Sequence, residues 1–173
     1  MRSNMGSRSS SAAPKAPTSE LALREFVRAW GLFHEAMRPY FAQFGISDAQ
    51  WGVLRTLQRA EEARLAPLRL TDLGERLLVR PPSITGVVGR LERDGLVLRR
   101  PSPDDNRAKR VVLTSAGRAL VRRVLRHHPA QIRRILGGLR PGDARALHRL
   151  MTRFAEHLQE LGARDSTRRR GAR

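Results

Sequence analysis

The segment that begins at Ser83 carries polar side chains at helical spacing, with the chemistry to hydrogen-bond a nucleic acid. On a helix turning 100° per residue, Ser83, Thr85 and Arg90 lie on or beside the side that carries Gly86 and Gly89. Hydroxyl and guanidinium groups bond to phosphates and base edges. Each interior glycine costs a helix about 0.5–1 kcal/mol relative to alanine. The glycines indicate close approach by a partner, with a loosely designed solvated face as the alternative.

Two short β-prone runs, Leu96–Arg99 and Arg110–Leu113, follow this segment and flank a turn-forming stretch. The pattern predicts a β-hairpin with a net charge of +3. Its charged residues are Arg99, Arg100, Asp104, Asp105, Arg107, Lys109 and Arg110. A basic hairpin beside a polar helix favours contact with phosphates and the narrow minor groove over a merely solvated charge run.

The other chemistry-bearing residues form no catalytic or metal-binding pattern. The chain has no cysteine, which excludes disulfides, cysteine-ligated zinc and thiol redox chemistry. His127 and His128 point about 100° apart on a helix, and His148 and His157 fall on opposing sides. No phosphate-binding glycine loop or nucleophile elbow occurs. The sequence predicts a protein that is not an enzyme and has no cofactor or metal, with a histidine–carboxylate metal sensor left open.

Arginine dominates the charge of the chain. The 173 residues include 34 basic and 16 acidic residues, and the net charge is +18. Residues 1–19 and 164–173 carry +3 and +4, are poor in apolar residues, and are predicted to be disordered basic tails. The surplus within 20–163 predicts a polyanionic partner, nucleic acid before membrane. No apolar run is long enough to span a bilayer, so we expect no membrane partner and a cytoplasmic location on the bacterial nucleoid.

Apolar residues recur at steps of three and four in most of the chain, which indicates amphipathic helices. The first stripe ends at Gly45, and Pro39 is expected to bend or split that helix. Ser47 and Gln50 form a capping box that opens the second helix. Thr71 is expected to cap the short third helix.

The later helices have equally clear boundaries. A helix with Ile84 on its apolar side follows the prolines at 81–82 and ends at Gly95. After the hairpin, Thr114 begins a long helix, and Pro141 stands near the start of the last one. Four helices, a hairpin and two helices predict a mainly α fold, a winged helix-turn-helix with a small β-hairpin wing and long flanking helices.

Several of these segments resemble the MarR (multiple antibiotic resistance regulator) family of bacterial transcription factors. The resemblance covers roughly residues 21–161 and is densest at 70–117. It is carried by Leu70–Leu77, Pro82–Val97, Arg99-Arg100, Asp105-Asn106-Arg107 and Leu113–Gly117. The most specific feature is the Asp-x-Arg of the hairpin followed six residues later by Leu-Thr-x-x-Gly. Gly74 departs from the alanine that many members carry.

The resemblance implies a sequence-specific double-stranded DNA-binding regulator, usually a repressor, that acts as a homodimer on a pseudo-palindromic operator. The major-groove contacts it implies are Arg80, Ser83, Thr85 and Arg90. The hairpin contacts it implies are Asp105, Arg107, Lys109 and Arg110. Arg107 would enter the minor groove, Asp105 would hold the hairpin's shape by ion pairing, and the last two would contact phosphates.

The family resemblance also implies dimerisation helices at 20–45 and 115–161 around a winged domain at 46–114. The apolar stripes at 23–44, 120–136 and 147–161 agree, because one small winged domain needs fewer apolar residues to cover it. Many members release DNA when a small anionic or phenolic effector binds. The candidate pocket residues here are Trp30, His34, Arg38, Tyr40 and Trp51. Aromatic residues at helical spacing are more often core, and that alternative stays open.

Two further classes of protein stay open from the residues alone. One is an architectural winged-helix protein that binds DNA or RNA without sequence specificity. The other is a protein-interaction module whose charge is incidental. Aromatic residues make up only 5% of the chain, which argues against base stacking on single strands.

Overall fold

The computed structural model describes residues 17–77, 81–102 and 105–171, without the side chains of residues 81, 82, 102, 105–108 and 165–171. These residues form six helices and three strands. In chain order they are α1 (Thr18–Ala42), α2 (Asp48–Glu62), β1 (Leu68–Arg69), α3 (Leu70–Leu77), α4 (Pro81–Arg93), β2 (Val97–Ser102), β3 (Asp105–Leu113), α5 (Ser115–Leu136) and α6 (Pro141–Gly171). The predicted mainly α winged helix-turn-helix, with its order of helices and hairpin, is confirmed.

One apolar core joins α2, α3 and α4 to the C-terminal end of α1, the small sheet and the first half of α5. The side predicted to be apolar on α4 is buried, since Ile84, Val87, Val88 and Leu91 are at most 6% exposed. They pack with Leu54 and the other core residues of α2 and α3. Burying a side chain of this size stabilises the fold by about 1.5–3 kcal/mol, so α4 is held firmly by one side.

The sheet is antiparallel with the strand order β1-β3-β2. In the hairpin, Val97 pairs with Leu113 and Arg100 pairs with Arg110, and the register shifts after Pro101. The strands extend further into the turn than the two predicted runs. No strand was predicted before α3; the two residues of β1 pair with β3, where Leu68 and Val111 are buried opposite each other.

The capping residues predicted from the sequence are confirmed at the starts of α2 and α5 and wrong at the start of α3. The Ser47 hydroxyl accepts the Gln50 N–H, and the Gln50 side chain accepts the Ser47 N–H, so the predicted capping box is confirmed. Thr71 does not cap α3, because it lies inside that helix. The carboxylate of Asp72 accepts the Arg69 N–H at 2.7 Å instead and satisfies the donor just before the helix.

The proline in α1 does not split that helix, which runs unbroken to Ala42. Pro39 removes only the bond to the residue four positions earlier. Since it lies three residues from the helix end, little of the hydrogen-bond ladder depends on it. The chain then turns at Gly45, whose φ of 73° favours glycine.

The two ends differ from the tails expected from composition. α1 begins at Thr18, within the stretch 1–19 predicted to be disordered, and residues 1–16 lie outside the described part. α6 continues to Gly171, so the expectation of a disordered tail from residue 164 is not met over 164–171. The segment after Pro141 contains no further proline, and the side chains of Arg164 and Glu160 pair one helical turn apart.

Candidate nucleic-acid interface

One side of α4 is exposed and polar, opposite the side held in the core. Ser83, Thr85, Gly86 and Arg90 are all exposed, and we call them the α4 polar face. At Gly86 an added Cβ would meet only the Arg90 Nη1 atom, at 3.9 Å. The α4 polar face therefore has a depression at Gly86, and the hydroxyl groups of Ser83 and Thr85 and the guanidinium group of Arg90 surround it. Arg80, predicted to belong to the same face, lies outside the described residues.

The C-terminal end of α4 is fixed by hydrogen bonds from two other helices. The Leu96 N–H donates to the Leu91 carbonyl at 2.9 Å, and Gly95 adopts a φ of 69°, which together end the helix. The Thr114 hydroxyl donates to the Gly95 carbonyl at 2.7 Å. The Gln50 side-chain amide donates to Asp94 at 3.3 Å. These bonds set the direction in which the α4 polar face points.

The hairpin β2–β3 stands beside α4 and carries exposed cations. Arg100 and Lys109 are exposed, and Arg110 is half-buried. The backbone of Asp105 and Arg107 lies in β3, and their side chains are outside the described part, so the ion pair and minor-groove contact assigned to them stay predictions. The predicted adjacency of a polar helix face and a basic hairpin agrees with this arrangement.

Arg99 differs from the other basic residues of the hairpin, because it turns toward α4. Its Nε lies 3.4 Å from a carboxylate oxygen of Glu92, and its Nη2 donates to the Thr85 carbonyl at 3.4 Å. From the sequence alone, Arg99 was predicted only as one of the positive charges of the hairpin. The available signal was Glu92, seven residues earlier and across the Gly95 turn.

A second basic surface lies at the corner between β1 and α3 and was not predicted. Arg69, Arg76 and Arg110 border an open depression of about 260 Å³ together with Asp72. Three guanidinium groups against the one carboxylate of Asp72 make the depression basic overall. Arg69 and Arg76 come from separate elements in the sequence, and no local pattern joins them.

Comparison with known proteins relates this chain to one protein family. A model of the MarR family matches residues 46–109, from the start of α2 to the middle of β3. The transcriptional repressor YetL of Bacillus subtilis (strain 168) is 34% identical over 103 residues, which are 60% of this chain and 60% of YetL. AbsC, a MarR family transcriptional regulator from Streptomyces coelicolor, superposes with a TM-score of 0.73 at 25% identity, over 86% of this chain and 99% of AbsC.

Residues 46–109 of this chain are therefore a MarR-family domain. The match to YetL spans about three-fifths of that relative's length. A mutant MarR from Escherichia coli, complexed with operator DNA, superposes with a TM-score of 0.71 at 22% identity, over 81% of this chain and 99% of that one. At that identity the likeness establishes the fold. The relatives named here are transcriptional regulators rather than enzymes, in line with the sequence prediction.

The five residues predicted to line an effector pocket are spread over different environments. Trp30 is 56% exposed, and its ring meets the His34 ring edge-on at 4.4 Å. The His34 Nδ1 lies 2.7 Å from an Asp48 carboxylate oxygen. Arg38 is exposed on α1, and Trp51 is buried, with its ring stacked on Phe41 in the core.

Tyr40, the fifth of these residues, joins two helices. Its hydroxyl donates to the Val124 carbonyl of α5 at 2.7 Å. Burial raises the pKa of the Tyr40 hydroxyl, so it keeps its proton and donates at neutral pH. The edge of Tyr40 also borders an open groove of about 480 Å³ between α1 and α5. The other groove residues are Gln43, Phe44, Arg123, His127, Ala130, Gln131 and Arg134.

Large apolar side chains cover one side of α1 and one side of α6. On this side of α1 the exposed residues are Leu23, Phe26, Val27 and Trp30. On α6 they are Leu147, Leu150, Met151, Phe154, Leu158 and Leu161. Their exposed fractions run from 37% to 59%, and the spacing puts each set on one side of its helix. Phe26 and Phe154 meet edge-on at 5.7 Å, so the two sets form one continuous surface, which we call the α1–α6 apolar surface.

The described part of the chain lacks two other kinds of site. It holds no group of three or more histidine, cysteine, aspartate or glutamate side chains that could bind a metal ion. None of its helices has the length and apolar content needed to cross a membrane.

Proposed function

We propose that this chain is a sequence-specific double-stranded DNA-binding transcriptional regulator. The observation that carries the proposal is the α4 polar face, exposed beside the basic hairpin while the opposite side of α4 is locked in the core. Hydroxyl and guanidinium groups on a helix of this kind bond to base edges in the major groove. Arg100 and Lys109 are exposed cations of the adjacent hairpin and would contact phosphates of the same duplex.

The regulator acts as a homodimer in this proposal. The α1–α6 apolar surface supports it, because monomeric proteins rarely leave so many large apolar side chains exposed together. A two-fold dimer would present two α4 helices to successive major grooves, about one helical turn apart, and would bind a pseudo-palindromic operator. Repression is the proposed outcome, in line with the name of YetL.

A binding experiment with selected and random duplexes tests this proposal. A duplex enriched by the protein from a random pool should bind roughly 10³-fold more tightly than random duplexes at the same salt concentration. Equal binding of all duplexes would instead support an architectural protein. Absence of binding even at low salt would support a protein-interaction module. Either result would overturn the proposal that this chain is a sequence-specific regulator.

Two variants test the assigned contacts. Arg90→Ala should cost about 1–3 kcal/mol of binding free energy and relax the base preference at one symmetric pair of positions. Arg107→Ala should lower the slope of log K against log salt by about one unit. Arg153→Ala, on α6, is the control and should change neither quantity. If Arg90→Ala and Arg107→Ala both bind like the control, these contact assignments are wrong.

A small aromatic anion is the proposed effector, and the groove between α1 and α5 is its proposed site. Arg123 and Arg134 supply permanent positive charge there, and the Arg123 guanidinium lies 5.7 Å from the centre of the Phe44 ring. A flat ring with a carboxylate or phenolate would satisfy both features. The surroundings of His34 are less suited, because Asp48 already neutralises that histidine when it is protonated.

Titration with benzoate and 4-hydroxybenzoate tests the groove. At least one of them should bind at millimolar concentration by calorimetry and weaken binding to the selected duplex. Arg134→Gln should weaken that response, whereas Arg133→Gln, its exposed neighbour outside the groove, should not. Equal responses of the two variants, or no response of the unmodified protein, would contradict this site.

A further inference from the structure

The guanidinium group of Arg99 bridges the hairpin and the helix that carries the α4 polar face. Glu92 makes two contacts with this residue: its Oε1 accepts the Arg99 backbone N–H at 3.2 Å, and its Oε2 lies 3.4 Å from Nε. At the far end, Nη2 donates to the Thr85 carbonyl near the start of α4. The α4 residues that Arg99 contacts, Glu92 and Thr85, are therefore about two helical turns apart.

Burial separates Arg99 from the cation beside it. The Arg99 side chain is only 22% exposed, and its buried Nε makes no hydrogen bond within the described part of the chain, so it meets the Glu92 carboxylate as an ion pair. Arg100 is exposed, since successive side chains of a strand point to opposite faces. A guanidinium group held between a carboxylate and a helix carbonyl has fewer donors left for phosphate than one that is free in solvent.

Gly89 is the residue of α4 that faces this guanidinium. A Cβ at position 89 would lie 3.7 Å from Arg99 Nη2, in ordinary contact, so a longer side chain would compete for the space that the guanidinium fills. The two glycines of α4 therefore have different surroundings. Gly86 lies in the α4 polar face, and Gly89 leaves room for the bridge to the hairpin.

We propose that Arg99 is a positioning residue that determines DNA specificity by fixing the hairpin to α4. With the bridge intact, the α4 polar face and the hairpin meet a duplex at one set angle, and only sequences that fit both are bound tightly. Without it, each element still contacts phosphates, but their relative position varies. This inference rests on the proposed DNA-binding function.

Salt-dependent binding of two neighbouring variants tests the inference. Arg99→Gln should weaken binding to the selected duplex by about tenfold or more, and leave random duplexes within about twofold with an unchanged salt slope. Arg100→Gln, the matched control, should weaken both duplexes together and lower the slope by about one unit. Arg99→Lys should resemble Arg99→Gln, because an ammonium group cannot span Glu92 and Thr85 at once.

Glu92→Gln provides a second route to the same result, with less risk of misfolding. It keeps an oxygen for the Arg99 backbone N–H and removes the charge that holds Nε, so it should reproduce the loss of selectivity. Equal weakening of both duplexes by Arg99→Gln, with a lower salt slope, would make Arg99 a phosphate contact and overturn the inference. Binding of Arg99→Gln that equals the unmodified protein would overturn it too.

Hydrogen exchange separates failure of this inference from failure of the proposed function. In the absence of DNA, the amides of β2 and β3 should exchange faster in Arg99→Gln than in the unmodified protein, and Arg100→Gln should exchange like the unmodified protein. If the unmodified protein does not discriminate between duplexes, the proposed function fails while this exchange difference still decides whether the bridge exists. Unchanged exchange in Arg99→Gln would show that no bridge holds the hairpin.

Discussion

At the scale of single residues, Gly117 stands where a side chain has no room. A Cβ at this position would overlap the Leu96 carbonyl oxygen and lie 3.3 Å from Leu113 Cδ2. The same carbonyl accepts the Thr114 N–H at 3.1 Å, and the Thr114 hydroxyl accepts the Gly117 N–H at 2.9 Å. The Leu-Thr-x-x-Gly motif is thus a close junction where α5 begins against the end of the α4 turn.

We therefore expect Gly117→Ala to lower the free energy of unfolding by about 3 kcal/mol, since the backbone must move to admit the methyl group. Gly162→Ala is the matched control. Position 162 lies inside α6 with no atom within 4 Å of an added Cβ, so alanine should be neutral or stabilise by about 0.5–1 kcal/mol. Urea unfolding of the two variants measures the difference. Equal stabilities would mean that the junction is looser than the overlap with the Leu96 carbonyl oxygen implies.

At the scale of elements, His128 marks the place where α5 meets α1 and α2. Its ring centre lies 5.7 Å from that of Tyr40 and 5.8 Å from that of Trp51. The pKa of His128 is lowered below its ordinary value of 6.5, first by burial and then by the positive charge of Arg55. Among the described residues its Nδ1 is buried without a hydrogen-bond partner. The neutral ring is the form that this junction accommodates.

The lowered pKa gives the packing of these three helices a pH dependence of known sign. The unfolded chain binds the His128 proton more readily than the folded chain does, so its contribution to stability is complete above about pH 6.5. That contribution decreases as the pH falls toward the folded-state pKa. His128→Gln should therefore flatten the decrease in unfolding free energy measured below about pH 6.5, and His148→Gln, at an exposed position of α6, should not. Parallel pH profiles for both variants would contradict this account.

The helices of the fold could be predicted where their signals are local. Ile84 and Leu91 are buried because a 3.6-residue period fixes which side of a helix faces the core. Features that depend on distant partners could not be predicted. The Tyr40–Val124 bond joins residues 84 apart in sequence, and the groove beside it exists only because α1 and α5 pack together. A count of charged residues likewise does not show which way each side chain points. The sequence therefore could not distinguish Arg99, which contacts α4, from the exposed Arg100.

At the scale of the whole molecule, one chain leaves its longest apolar surface uncovered. The core that joins the end of α1 to α2–α5 lies within the chain, whereas α6 meets α1 through Phe26 and Phe154 and exposes the remainder of its stripe. A second copy of the chain would cover this surface with its own α1–α6 apolar surface. In such a two-fold interface, each contact from the first copy to the second is repeated from the second to the first. Dimerisation would also double the basic surface presented to DNA and steepen the salt dependence of binding.

The role of the α1–α6 apolar surface can be tested with Leu150→Asp. Leu150 is 57% exposed in the single chain, so an aspartate there should cost the folded monomer little. In a dimer the carboxylate would be buried without a partner, and we expect the dimer dissociation constant to rise by about a hundredfold or more. Arg149→Asp is the matched control, since its side chain lies on the side of α6 away from the stripe.

Sedimentation equilibrium measures the mass of each variant, and thermal unfolding checks that each is folded. Leu150→Asp should sediment as a monomer at concentrations where the unmodified protein and Arg149→Asp are dimers. It should also lose affinity for a palindromic duplex while it retains weak binding to a half-site, because each chain still carries its own α4 polar face and hairpin. A dimeric Leu150→Asp would assign the contact between the two copies to a different surface, and a monomeric unmodified protein would remove the dimer from the proposed function.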